Sequence, residues 1–133
     1  AANKAAKEFN PKIKLLAVTV LTSMDDNDVK SISNFQSSKE QVKKLAMIAK
    51  NSGLNGVIAS GRDIKMLRNL IGKDMKIFCP GIRLDNETHD QKKFVTYSDF
   101  LKDSDENCFA VIGRPIYEGN AKENIKKILN SAK

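Results

Sequence analysis

With 133 residues, 41% of them hydrophobic and 29% charged, the chain is about one domain long and able to bury a core. Its 23 Lys and Arg against 16 Asp and Glu leave a net charge of +7. The lysines scatter over helix faces with no long basic run, so a solvated surface explains them better than a nucleic-acid stripe does. Two cysteines and one histidine, with no Cys-x-x-Cys spacing, argue against a zinc site or disulfide framework and for a reducing cytoplasm. No membrane span or signal-peptide pattern is visible.

Ala2, Ala5, Ala6 and Phe9 fall at helical spacing from the first residue. The chain is therefore expected to open inside a helix, with further sequence upstream, and Pro11 is expected to stop that helix. Ile13 to Leu21 is a β-branched apolar run of the kind buried on both faces of a parallel sheet. After the turn at Thr22-Ser23-Met24, the residues Met24, Val29 and Ile32 predict a short helical segment within a polar stretch. Ser38-x-x-Gln41 reads as a capping box for a helix over Lys39 to Asn51, with Gly53 as its left-handed exit.

Asn55 to Ser60 predicts the next strand. Ser60 or Gly61 then starts a helix whose Ile64, Leu67 and Ile71 share a face, closed by Gly72. Lys76 to Cys79 is the third strand, followed by a long loop from Pro80 to Val95 and a short helix capped by Thr96-x-x-Asp99. Cys108 to Ile112 is the fourth strand, with Cys79 and Cys108 both read as small buried hydrophobes. Asn120-x-x-Glu123 caps a last helix with Ile125, Ile128, Leu129 and Ala132 on one stripe.

Strands alternating with helices demand parallel pairing and right-handed crossovers, in a single domain over residues 1–133. Four such strands make either a small doubly wound sheet or half of a (β/α)8 barrel, which needs roughly 250 residues when complete. Polar residues gather after every strand, at Thr22-Ser23, Ser60-Gly61-Arg62, Gly81-Ile82-Arg83 and Gly113-Arg114. Both architectures place ligands at those carboxyl ends. In barrels, the loops after the last two strands commonly grip a phosphate. Gly and Arg arriving together from both, in Pro80-Gly81-Ile82-Arg83 and Val111-Ile112-Gly113-Arg114, fit that use.

Taken in order and spacing, Leu21-Thr22-Ser23-Met24, Pro80-Gly81-Ile82-Arg83, Asp90-Gln91 and Val111-Ile112-Gly113-Arg114-Pro115-Ile116 closely resemble the orotidine 5′-phosphate decarboxylase family. The likeness spans nearly the whole chain and corresponds to strands five to eight of that family's barrel, its carboxyl-terminal half. It implies an α/β fold of four parallel strands with crossover helices. It also implies an enzyme, homodimeric when whole, that converts orotidine 5′-monophosphate to uridine 5′-monophosphate and carbon dioxide without metal or organic cofactor.

The family's catalytic Lys and Asp array, including an Asp-x-Lys-x-x-Asp segment, has no counterpart in this sequence. No catalytic residue is therefore expected in this chain, and alone it should be inactive. The resemblance puts Thr22 and Ser23 beside the pyrimidine, places Pro80 in the substrate-binding set, sends Gln91 between phosphate and ring, and assigns Arg83, Gly113 and Arg114 to the phosphate. The family often follows the loop glutamine with arginine, whereas Lys92 and Lys93 stand here, which exchanges a planar fork for point charges.

Expected partners are the nucleotide and either a complementary amino-terminal half-barrel or a second copy; neither nucleic acid nor membrane is expected. The alternative reading is a non-catalytic or vestigial half-barrel that keeps affinity for nucleotide phosphate. Among the remaining polar residues, His89 reads as an exposed loop histidine and Tyr97 and Tyr117 as packing against end loops. Asp25, Asp26 and Asp28 lack the glycine and glutamate of a calcium loop.

Overall fold

The computed structural model describes residues 1–84 and 94–131. In chain order the elements are α1 (Ala2–Phe9), β1 (Leu16–Val18), α2 (Asp26–Ile32), α3 (Ser38–Asn51), β2 (Gly56–Ile58), a 3-10 turn (Gly61–Asp63) and α4 (Ile64–Ile71). There follow β3 (Lys76–Pro80), β4 (Ile82–Arg83), β5 (Val95–Thr96), α5 (Tyr97–Asp103), β6 (Cys108–Val111), α6 (Arg114–Tyr117) and α7 (Ala121–Ser131). The main sheet runs β1-β2-β3-β6, every neighbour parallel, as the alternation of strands and helices requires.

One face of this sheet is the core. Val57, Ile77 and Cys79 point into it and meet Val42, Ala46 and Ala49 of α3 and Ile64, Leu67 and Ile71 of α4, all buried. Two alanines on α3 keep the helix close to the strands, and each fully buried Leu or Ile contributes about 1.5–3 kcal/mol. Burial pushes the Cys79 thiol up to about 12, with smaller contributions from Cys108 and Asp63, so it is not a nucleophile at neutral pH.

The other face carries Val18, Ile58, Phe78 and Phe109, which are successive register partners across the sheet. Phe78 and Phe109 stack at 4.7 Å, and Lys76 Nζ sits 5.5 Å from the Phe109 ring centroid. Val18 remains 53% exposed and Val111 47%. Among the described residues this face has no helical cover, and β1 and β6 each pair on one side only.

Gly56, opposite Lys76 in the β2–β3 register, has no room for a side chain. A Cβ there would run into the Lys76 carbonyl oxygen and would lie 2.9 Å from Lys76 Cβ and 3.0 Å from Leu16 Cδ2. Gly56→Ala is expected to lower stability by about 1–3 kcal/mol, as overpacking does. Urea denaturation checks this, and an unchanged midpoint contradicts it.

Several expectations shift. The first strand is shorter than Ile13 to Leu21, because Ile13 (40%) and Leu21 (59%) lie in solvent. Thr19 extends the pairing by one residue, its amide and hydroxyl both donating to the Ile58 carbonyl at 3.1 and 2.9 Å. The cap of α3 is Ser37, whose hydroxyl accepts from the Glu40 amide, and not Ser38. Ser38 instead donates its amide and hydroxyl to Asp26 Oδ1 at 2.8 and 2.7 Å, tying α2 to α3.

The stretch read as a long loop contains the β4–β5 pair, parallel, with Ile82 opposite Val95 and Arg83 opposite Thr96. Cys108 is not a plain hydrophobe: its thiol donates to Asp105 Oδ1 and receives Arg68 Nη2 at 3.2 Å. The stripes on the terminal helices stay largely open, with Phe9 87%, Leu129 61% and Ile125 42% exposed, although Ile128 is buried. Tyr97 packs on Phe100 at 6.2 Å, whereas Tyr117 is 65% exposed. His89 and Ala132 lie outside the described residues.

Candidate functional site

A cavity of about 600 Å³ opens at the carboxyl ends of the strands, lined by residues that follow all four strands of the main sheet. Thr22 and Ser23 come from beyond β1, Ser60 from beyond β2, Pro80, Gly81 and Arg83 from the end of β3 and from β4, and Arg114 from beyond β6. Asp25, Phe94 and Val95 complete the wall.

Local rules bring each group there. Gly81 adopts φ +78°, a left-handed conformation that side-chained residues resist, and this bend lets the chain leave β3 and re-pair as β4 with Arg83 on the cavity. Ser60 caps the 3-10 turn by accepting from the Arg62 amide at 3.3 Å, which leaves its hydroxyl proton for another partner. Gly113 stands as the N-cap of α6, one residue before Arg114, and its carbonyl accepts from the Ile116 amide at 2.8 Å.

Of the residues singled out from the sequence, Thr22, Ser23, Pro80, Arg83 and Arg114 line this one cavity. Gly113 adjoins it without lining it. Gln91 lies outside the described residues. Two arginines and three hydroxyl residues, Thr22, Ser23 and Ser60, lining a common space form a donor-rich concavity suited to an oxyanion joined to a polar ring.

The acidic cluster has another task. Asp25 Oδ1 accepts from the Asn27 and Asp28 amides at 2.8 and 3.0 Å while Asp28 Oδ2 accepts from the Asp25 amide, a capping box that starts α2. Asp63, behind the cavity, is raised above its ordinary value by burial, against the pull of Lys39 and Arg62. Among the described residues no group of three or more His, Cys, Asp and Glu is arranged to hold a metal ion, and no helix is long and apolar enough to cross a membrane.

Phe94 and Val95 were missed in the sequence. Their signal was an aromatic and a β-branched residue directly before the Thr96 cap, a strand-like pair at the end of a polar run.

Comparison with known proteins gives this geometry a family. The sequence profile described as "Orotidine 5'-phosphate decarboxylase / HUMPS family" matches residues 1–128. An orotidine 5'-phosphate decarboxylase of Idiomarina loihiensis is 39% identical over 133 residues, covering 98% of this chain and 57% of the relative. That of Ehrlichia canis is 42% identical over 109 residues, covering 81% and 46%. The crystal structure of orotidine 5'-phosphate decarboxylase from Lactobacillus acidophilus superposes with TM-score 0.70 at 34% identity, over 90% of this chain and 49% of that one.

The Methanocaldococcus jannaschii enzyme, complexed with inhibitor BMP, shares the fold at TM-score 0.64 and 23% identity. The chain thus spans about half the length of the curated relatives it matches. Its four-stranded parallel sheet is half of a (β/α)8 barrel. By the profile spanning residues 1–128 and the shared architecture, the chain belongs to the orotidine 5'-phosphate decarboxylase / HUMPS family.

Proposed function

We propose that this chain supplies the phosphate- and pyrimidine-binding half of an orotidine 5′-phosphate decarboxylase, acting in pyrimidine biosynthesis in the cytoplasm. The observation that carries this reading is the convergence of Arg83 and Arg114, from the segments that follow the neighbouring strands β3 and β6, on a cavity that Thr22 and Ser23 also line. In this reading Arg83 and Arg114 hold the phosphate dianion, with the Gly113 backbone beside them. Thr22 and Ser23 offer hydroxyls to the amide-like edge of the pyrimidine, and Pro80 forms the rigid floor between them. Gln91 bridges phosphate and ring.

The division of chemistry follows. Electrostatic stabilisation of the carbanion left by carbon dioxide, and its protonation, require a Lys and Asp array that the complementary half provides. This half contributes binding energy from the part of the substrate that does not react, and that energy raises the rate by fixing and desolvating the reacting ring. The partner is an amino-terminal half-barrel packed on the uncovered sheet face, with a second copy of the chain as the other way to close the barrel.

Calorimetric titration with uridine 5′-monophosphate tests the binding assignment. Arg83→Ala and Arg114→Ala are each expected to weaken affinity by roughly 10- to 100-fold, the worth of a charge-assisted hydrogen bond to phosphate. Unchanged affinity in both variants refutes the shared phosphate site. Binding without turnover, even with the complementary half present, favours a vestigial nucleotide-binding protein.

A further inference from the structure

Of the Ser60-Gly61-Arg62 segment that follows β2, only Ser60 lines the cavity, which leaves the one charged side chain of the three, Arg62, outside it. Its guanidinium reaches the cavity wall from outside: Nη2 donates to the Phe94 carbonyl at 3.1 Å. Phe94 and Val95 are cavity wall. Val95 pairs with Ile82, and the next residue, Thr96, pairs with Arg83.

The neighbouring Gly61 supports the same contact. The site of a Cβ on Gly61 lies 3.2 Å from Val95 Cγ1 and 3.4 Å from Ile82 Cδ1, so the turn sits directly on the β4–β5 pair. Asp63 interacts electrostatically with Arg62, which gives the guanidinium charge a carboxylate neighbour outside the cavity.

We propose that Arg62 is a positioning residue for the phosphate cavity: by holding the Phe94 carbonyl it fixes the Phe94–Val95 wall and, through the β4–β5 pairing, the backbone that carries Arg83. This deepens the proposed function and rests on its assignment of the cavity to phosphate. The contact is a single hydrogen bond near the surface, so its effect is local and moderate.

Amide hydrogen exchange on the full chain without nucleotide, together with calorimetry using uridine 5′-monophosphate, tests it. In Arg62→Ala, exchange across residues 94–96 and 82–83 is expected to quicken about three- to tenfold, with β2 and the buried part of β3 unchanged. Nucleotide affinity is expected to fall by a similar factor, roughly three- to tenfold. Arg62→Lys, which keeps one donor on a long stem, is expected to restore most of both.

Wild-type exchange at residues 94–96 in Arg62→Ala overturns the inference, whether or not the nucleotide binds. So does a weakened affinity with unchanged exchange, which makes Arg62 a direct ligand contact, and so does faster exchange throughout the sheet, which makes it a general stabiliser. Failure of the wild-type chain to bind the nucleotide counts against the proposed function alone, because the exchange comparison still decides whether Arg62 holds the wall.

Discussion

Replacing Arg68 by alanine is expected to destabilise the chain by about 3–5 kcal/mol, a large share of the roughly 5–15 kcal/mol by which a domain of this size is folded. The Arg68 side chain is 11% exposed and its head is bound on every side. Nη1 donates to the Gly72 and Met75 carbonyls at 2.9 and 2.6 Å, and Nη2 donates to Asp105 Oδ1 at 2.8 Å and reaches Cys108 Sγ at 3.2 Å. Nε lies 2.7 Å from Asp105 Oδ2, off the axis of a hydrogen bond but within an ion pair. Truncation strands a partly buried carboxylate and two carbonyls at once, and that is what makes the loss large. Arg68→Lys is expected to recover a minor part, since one ammonium cannot reproduce the planar fork. Urea denaturation checks both variants, and a loss under 1 kcal/mol for Arg68→Ala contradicts this account.

The same cluster sets an acid limb. Burial pushes the Asp105 carboxyl up, but the Arg68 hydrogen bond, the Asn107 amide and the Cys108 thiol outweigh it, so the group lies below its ordinary 3.8. A carboxyl held low in the folded state adds stability that is fully present above its unfolded value and fades as pH falls through the folded one. Asp63, held high by burial, has the opposite sign: its protonation as pH falls favours the fold. Asp105→Asn should therefore flatten the acid loss of stability, while Asp63→Asn should steepen it.

Carbon dioxide release from orotidine 5′-monophosphate is expected to stay at background with this chain alone and to rise by roughly six orders of magnitude or more once an amino-terminal half-barrel of the family is added. The reason is the partition of groups: the described cavity has guanidinium and hydroxyl donors, while the sequence holds no Asp-x-Lys-x-x-Asp segment. Association has a physical drive, because among the described residues Val18, Ile58, Phe78 and Phe109 form an apolar row without helical cover and both outer strands of the main sheet pair on one side only. Single-turnover assays with and without the added half, alongside light scattering, decide it. Substantial turnover by the chain alone removes the assignment of chemistry to the other half, and a stable monomer at high concentration that ignores the added half removes the proposed pairing.

Periodicity and capping chemistry made most of the fold legible. Ile64, Leu67 and Ile71, the Gly53 exit at φ +69° and the Thr96 cap are local signals, and all of them fall where the residues said. The β4–β5 pair escaped because two-residue strands have no period to read, and their pairing is a tertiary event between segments a dozen residues apart. The polar surroundings of Cys108 escaped for a similar reason: Arg68 lies on a distant helix, and a free cysteine in an apolar run gives no sign of it. At the site, the strand-end residues were visible as types, whereas Phe94 and the Arg62 contact emerge only once the crossovers bring three loops together.

Arg68 clamps the beginnings of β3 and β6 through Met75, Asp105 and Cys108, while the cavity gathers at the ends of those same strands. The keel and the mouth of the half-barrel therefore share no residue. Substitutions at Thr22, Ser23 or Arg114 leave the keel intact, so ligand preference at the proposed site is expected to be open to retuning at little expense in folding, and the two kinds of change should combine additively.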